Sequence, residues 1–115
     1  MYHLTKTLVI AGAHKLSLPY DSACQNFHGH NWKITVHCAT KQLNESGMVV
    51  DFKLIKDHVM KYDHTNLNDS FQQPTAEHMA KRLTYDIPKC WKVEVEESPG
   101  SVVSFETPIE EVCND

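Results

Sequence analysis

The residues with the plainest chemical potential lie in the run Cys24-Gln25-Asn26-Phe27-His28-Gly29-His30. If this segment is extended, His28 and His30 leave the same face, because side chains alternate along a strand, and Gly29 between them adds no bulk. Two imidazole nitrogens then converge. A third from His14, at the end of a separate apolar run, would complete the three-histidine set of a catalytic zinc site that keeps one position open. Such an ion would polarise hydroxyl or carbonyl oxygens and make a proton on the adjacent carbon easier to remove. Cys24 belongs to no Cys-x-x-Cys pair, so its thiol reads as a reactive group and a candidate base. Asp63-His64 sets a carboxylate beside an imidazole, which suits a proton relay.

Each of these groups also has a plainer explanation. Cys24 could be a passive loop thiol. Asp63-His64 could be a helix cap and a surface histidine. Thr75 reads as a helix N-cap, Glu77 as a first-turn acid favoured by the helix dipole, and Glu97 as an exposed carboxylate beside a hairpin. Of the eight histidines, His3, His37, His58 and His78 need no role beyond surface or partial packing.

The elements that must position these groups follow from apolar periodicity. From Tyr2 to Ala13, Leu4, Leu8 and Ile10 share the parity of His14, and Thr5, Thr7 and Val9 take the other, which predicts a strand. Lys15 to Phe27, with Pro19 and short polar runs, predicts a loop. Alternation returns from His28 to Thr40, where Trp32, Ile34, Val36 and Cys38 share the parity of His28 and His30. Asn44-Glu45-Ser46-Gly47 is a turn, and Met48-Val49-Val50 a short extended segment. Asp51 then caps a helix with the stripe Phe52, Ile55, Val59 and Tyr62. Thr75 caps a second helix bearing Ala76, Met79, Ala80 and Leu83, which ends at Ile87-Pro88-Lys89. Two strands, Trp91 to Glu97 and Ser101 to Phe105, flank the hairpin turn Ser98-Pro99-Gly100. Thr107 to Asp115 is acidic and is expected to pack weakly.

This order, ββααββ, predicts an α+β fold: a four-stranded antiparallel sheet with two helices on one face, in a single domain spanning 1–115 with its core in 2–106. The opposite face, carrying Thr5, Thr7, Lys33, Thr35 and His37, is polar yet weakly charged, and the sheet edges need cover. Subunits pairing edge to edge into a closed barrel would satisfy both. A net charge of -4 with Arg82 as the lone arginine argues against nucleic acid. No apolar run is long enough to span a bilayer and no signal-peptide pattern opens the chain, so a cytoplasmic protein with no membrane partner is expected. The irregular spacing of Cys24, Cys38, Cys90 and Cys113 predicts free thiols.

Taken in order, Ala11-Gly12-Ala13-His14, Cys24-x-x-x-His28-Gly29-His30, Gly47-Met48-Val49-Val50-Asp51-Phe52, Asp63-His64-x-x-Leu67-Asn68, Pro74-Thr75-Ala76-Glu77 and Val93-x-Val95-x-Glu97-Ser98-Pro99 resemble the motifs of the 6-pyruvoyltetrahydropterin synthase and 6-carboxytetrahydropterin synthase family. The resemblance runs from His14 to Phe105. It implies the tunnelling fold, a homo-oligomer (trimer or hexamer) with active sites near subunit interfaces, and Zn2+ held by His14, His28 and His30. It also implies a catalytic triad of Cys24, Asp63 and His64. Glu97 would anchor a pterin ring, with Thr75 and Glu77 near the pocket. Three residues between Cys24 and His28 resemble the bacterial 6-carboxytetrahydropterin synthases of queuosine biosynthesis. The implied substrate is 7,8-dihydroneopterin triphosphate, and the products are 6-carboxy-5,6,7,8-tetrahydropterin, acetaldehyde and triphosphate. Lys15, Lys33 and Lys53 are candidates to meet the triphosphate. The alternatives are 6-pyruvoyltetrahydropterin synthase activity, which eliminates triphosphate without releasing acetaldehyde, and a non-catalytic pterin- or zinc-binding module. Gly12 stands where Ala or Ser is usual, Glu96 where an apolar residue is common, and Ser98 in place of Thr.

Overall fold

The computed structural model describes residues 1–113; Asn114 and Asp115 lie outside the described residues. Strand β1 (Tyr2–His14) and strand β2 (His28–Thr40) form a long antiparallel ladder in which Tyr2 faces Thr40 and His14 faces His28. Strand β4 (Cys90–Ser98) pairs with β2, and β5 (Ser101–Glu106) with β4, both antiparallel. The short β3 (Thr65–Asn66) joins β1 in parallel at Gly12 and Ala13, so the sheet order is β3-β1-β2-β4-β5.

The helices α1 (Phe52–Met60) and α2 (Ala76–Asp86) start where the caps predict. The Asp51 side chain accepts from the Lys53 amide and Thr75 from the His78 amide. Their apolar stripes share one core with the sheet: Ile55, Val59, Met79, Ala80 and Leu83 are buried with Ile10, Trp32, Ile34, Val36, Val93 and Val95. Burying each large side chain contributes about 1.5–3 kcal/mol, and this shared interior fixes which strand parity points inward. At the turn before α1, Gly47 adopts φ 78°, and Asn44 Oδ1 accepts from the Ser46 and Met48 amides.

Four expectations need correction. The sheet has five strands and is mixed, because the polar run after α1 folds back and contributes two residues to the edge of β1. Alternation cannot register so short a strand. A third helix, α3 (Glu110–Cys113), packs against β2 and β4, and Cys113 is only 2% exposed, so this part of the C-terminal segment is anchored. Its acidic Glu110 and Glu111 face solvent and mask the two apolar side chains, Val112 and Cys113, that dock. Val49 and Val50 lie in bends, so Met48-Val49-Val50 is no regular extended segment. Phe52, at the first position of α1, is 54% exposed with the Lys6 ammonium 5.5 Å from its ring centre, so the buried stripe begins at Ile55.

The sheet face away from α1 and α2 carries a polar network. His37 Nε2 lies 2.8 Å from Glu94 Oε1, Thr5 Oγ1 lies 3.4 Å from His37 Nδ1, and the Thr7 and Thr35 hydroxyls are 3.2 Å apart.

Candidate metal and active site

The ladder between β1 and β2 brings the three histidines together. His14 is directly opposite His28, and Gly12 is opposite His30, so all three imidazoles leave the core face of the sheet at one end. Ring centres are 4.5 Å apart for His14 and His28, 5.2 Å for His14 and His30, and 4.8 Å for His28 and His30. Trp32 packs edge-on beneath His14 and His30, held by its indole N–H donating to the Gly12 carbonyl at 3.1 Å. Gly12 gives Trp32 room, since a Cβ there would meet Trp32 Nε1 and Leu67 Cδ1 at 3.2 Å each and one of them would have to shift.

Two backbone carbonyls orient the rings. His14 Nδ1 is 2.7 Å from the Pro74 carbonyl and His28 Nδ1 is 2.7 Å from the Asn26 carbonyl. A carbonyl only accepts, so each Nδ1 must carry the proton, which leaves the Nε2 lone pair free. His14 is fully buried, and burial lowers its pKa, opposed by the Pro74 hydrogen bond and reinforced by the neighbouring His28. The ring therefore stays neutral, the form that binds a metal. The buried Nε2 atoms of His14 and His30 make no hydrogen bond among the described residues. A buried polar atom without a partner costs free energy comparable to a lost hydrogen bond, so these nitrogens fit a bound cation better than an empty core.

Glu97 on β4 joins them. Its Oε1 lies 3.0 Å from His30 Nε2 and 4.0 Å from His14 Nε2, and one ligand atom from each of His14, His28, His30 and Glu97 falls within 4.8 Å of the others. Glu97 shares the parity of the buried Val93 and Val95, a sequence signal that could have placed it on the histidine face.

The groups expected to move protons are arranged differently. Asp63 Oδ1 accepts from the Ala11 amide at 2.8 Å, and Oδ2 lies 3.6 Å from His64 Nε2. His64 adopts φ 56°, and its own amide donates to the Ala11 carbonyl at 2.6 Å. A non-glycine residue in this left-handed region is strained and persists only when its surroundings hold it. The imidazole projects with its side chain 81% exposed into a cleft of about 610 Å3, lined also by Phe27, Gly29, His30, Asn31 and Asn66. Cys24 sits half-buried in a 3-10 turn (Ala23–Gln25) capped by Ser22 and is not in the lining of that cleft. Asp63 and His64 are thus together at one cleft, and within one subunit Cys24 lies outside it. Thr75 Oγ1 is engaged in capping α2, and Glu77 points to solvent from its first turn. Sequence reasoning missed the Pro74 and Asn26 carbonyls, since any residue type offers one.

Comparison with known proteins fits this geometry. The family described as 6-pyruvoyl tetrahydropterin synthase matches residues 3–108. The chain belongs to that family. Its relatives include the 6-carboxy-5,6,7,8-tetrahydropterin synthase of Bacillus subtilis, 35% identical, with 93% of this chain and 80% of that protein covered. The Synechocystis protein of the same name is 31% identical, with 94% of this chain and 95% of the relative covered. As a member of the 6-pyruvoyl tetrahydropterin synthase family, the chain is a lyase. In fold it is similar to the solved 6-pyruvoyl tetrahydropterin synthase of Caenorhabditis elegans, with a TM-score of 0.73 at 22% identity, over 93% of this chain and 96% of that one. No helix among the described residues is long and apolar enough to cross a membrane.

Proposed function

We propose that this protein is a zinc-dependent lyase that converts 7,8-dihydroneopterin triphosphate and one water to 6-carboxy-5,6,7,8-tetrahydropterin, releasing acetaldehyde and triphosphate, as a cytoplasmic, single-domain enzyme on the route to queuosine and other deazapurines. The observation that carries this reading is the trio of imidazoles at one point, with His14 and His28 oriented by backbone carbonyls and the buried Nε2 atoms of His14 and His30 without a hydrogen-bond partner among the described residues. Borderline-soft Zn2+ suits such nitrogen donors, and three protein ligands leave a position for substrate. His14, His28 and His30 would hold it. When bound, zinc supplies the Lewis acidity that favours ionised forms of the substrate's side-chain oxygens.

The protein's own groups divide the remaining work. Cys24 takes and returns a carbon-bound proton. His64, with the Asp63 carboxylate beside it, passes protons to and from oxygen. Glu97 accepts hydrogen bonds from the amino edge of the pterin ring, the paired geometry a carboxylate offers to a planar donor. Thr75 and Glu77 border the ring pocket, and Lys15, Lys33 or Lys53 meets the triphosphate. Cys24 and the Asp63-His64 pair would act on one substrate across a subunit boundary, in a trimer or hexamer. Support for such an assembly comes from β1, whose edge is covered by β3 only at Gly12 and Ala13, and from the polar network on the sheet face opposite α1 and α2.

The relatives named 6-carboxy-5,6,7,8-tetrahydropterin synthase favour the carboxy product over 6-pyruvoyltetrahydropterin. Incubating zinc-loaded protein with 7,8-dihydroneopterin triphosphate tests this. Acetaldehyde formed in equal amount with the carboxylated pterin is expected. Triphosphate without acetaldehyde would reassign the product, and an unconsumed stoichiometric complex would overturn the enzymatic reading.

A further inference from the structure

The loop that carries Cys24 lies outside the sheet. Between the end of β1 at His14 and the start of β2 at His28, the chain pairs with no strand among the described residues, so its backbone N–H and C=O groups must find partners elsewhere. Two side-chain amides supply them. Asn68 Oδ1 accepts from the Lys15 amide at 2.9 Å, and Asn68 Nδ2 donates to the Lys15 carbonyl at 3.0 Å. Gln73 repeats the arrangement at Ser17: its Oε1 accepts from the Ser17 amide at 3.1 Å, and its Nε2 donates to the Ser17 carbonyl at 2.9 Å. A carboxamide offers an acceptor and a donor, as a peptide group does, so each side chain stands in for the residue that would exchange both bonds across an antiparallel ladder.

The hold reaches Cys24 itself. Leu16, between the two clamped residues, donates its N–H to the Cys24 carbonyl at 2.7 Å, and the Cys24 N–H donates to Ser22 Oγ at 3.2 Å. Gln25 ties the remaining span, its Nε2 donating to the Leu18 and Tyr20 carbonyls at 3.0 Å each. Both backbone groups of Cys24 are therefore engaged, and the chain of bonds that places its thiol ends on Asn68 and Gln73. Ordering two flexible amide side chains costs conformational entropy, and what that ordering secures is the stretch beside a half-buried thiol.

We propose that Asn68 and Gln73 are positioning residues for Cys24: they keep the loop 15–25 in the arrangement that presents the thiol to the substrate's carbon-bound proton. A base speeds turnover only when it lies within reach of the proton it removes, and a misplacement of about 1 Å can cost about 100-fold in rate. Neither amide touches the substrate; each acts through the backbone of the loop. This role rests on the reading of Cys24 as the group that moves that proton.

Gln73→Ala and Asn68→Ala test it. Each zinc-loaded variant is compared with the native protein for kcat and KM on 7,8-dihydroneopterin triphosphate, and for the rate at which iodoacetamide alkylates Cys24, read by peptide mass spectrometry. We expect kcat to fall by about 10- to 100-fold, KM and metal content to stay near native, and Cys24 to be alkylated several times faster as the loop loosens. Side chains that only stabilise the fold would lower the melting temperature and leave kcat per folded molecule and Cys24 alkylation unchanged. Should Asn68→Ala fail to fold, Gln73→Ala decides alone. Alkylation at the native rate in folded Gln73→Ala would overturn the hold on the loop, and faster alkylation with native kcat would overturn its part in turnover. Turnover absent from the native protein would overturn the reading of Cys24 and this role with it.

Discussion

The inward face of β2 and its neighbours ends in histidines on one side and in cysteines on the other, and the two ends treat their polar atoms in opposite ways. At the cysteine end, Cys38 and Cys90 are cross-strand partners, both buried. Each thiol has a protein partner: Cys38 donates to the Pro88 carbonyl and Cys90 to the Lys92 carbonyl. The hydrogen bond to Cys90, followed by burial, pushes the Cys38 thiol up, while Cys90 is lowered chiefly by accepting from Cys38. At the histidine end, burial is as complete for His14, yet its Nε2 and that of His30 have no hydrogen-bond partner among the described residues. Two ends of the inward face of β2, with the same alternation and comparable burial, differ in whether the fold satisfies its own donors and acceptors. Where it does, the residues hold structure. Where it does not, they form a group that could hold a metal ion.

The comparison can be broken by substitution, and the largest effect belongs to the histidine end. His28→Ala should lose bound metal and turnover together, as judged by elemental analysis and acetaldehyde release, while far-UV circular dichroism stays native. Retained zinc with full activity would end the metal reading. Cys24→Ala comes next: metal content stays at the native level, and turnover falls by roughly 100- to 10,000-fold, the range of a lost proton-transfer group. A smaller effect is expected at the cysteine end. Cys90→Ala removes a buried sulfur and one partner of Cys38, costing about 1–2 kcal/mol in a urea melt, with metal content unchanged. A drop in metal content there would show that the two ends are not independent.

Thr75→Ala sharpens the contrast at a residue with both a structural and a binding claim. Loss of the α2 cap should cost about 1 kcal/mol of stability. If KM for the pterin triphosphate stays at the native value while stability falls, Thr75 acts only through the helix. A raised KM in protein shown to be folded would add a place in the pocket.

Much of this was legible in order along the chain. The alternation in Tyr2 to Ala13 and His28 to Thr40 located β1 and β2 to within a residue, and the shared parity of His14, His28 and His30 put them on one face, because a strand repeats every two residues whatever surrounds it. Asp51 and Thr75 announced their helices, since capping is a local exchange between a side chain and amides two or three positions on. The two-residue β3 and the docked Cys113 were not legible. One is shorter than any period, and the other owes its burial to packing against β2 and β4.

What the sequence by itself determined is therefore the set of chemically able residues and their local facing: three imidazoles of one parity, a lone loop thiol, an acid beside a histidine. Only the tertiary structure decided their company. Register between β1 and β2 set His14 against His28, the Pro74 and Asn26 carbonyls chose which nitrogen carries the proton, and the pairing of the sheet brought Glu97 within 3.0 Å of His30. Periodicity is a property of neighbouring residues in the chain. The partners of a buried atom come from residues far away in it, brought close only when the sheet and helices close over a common core.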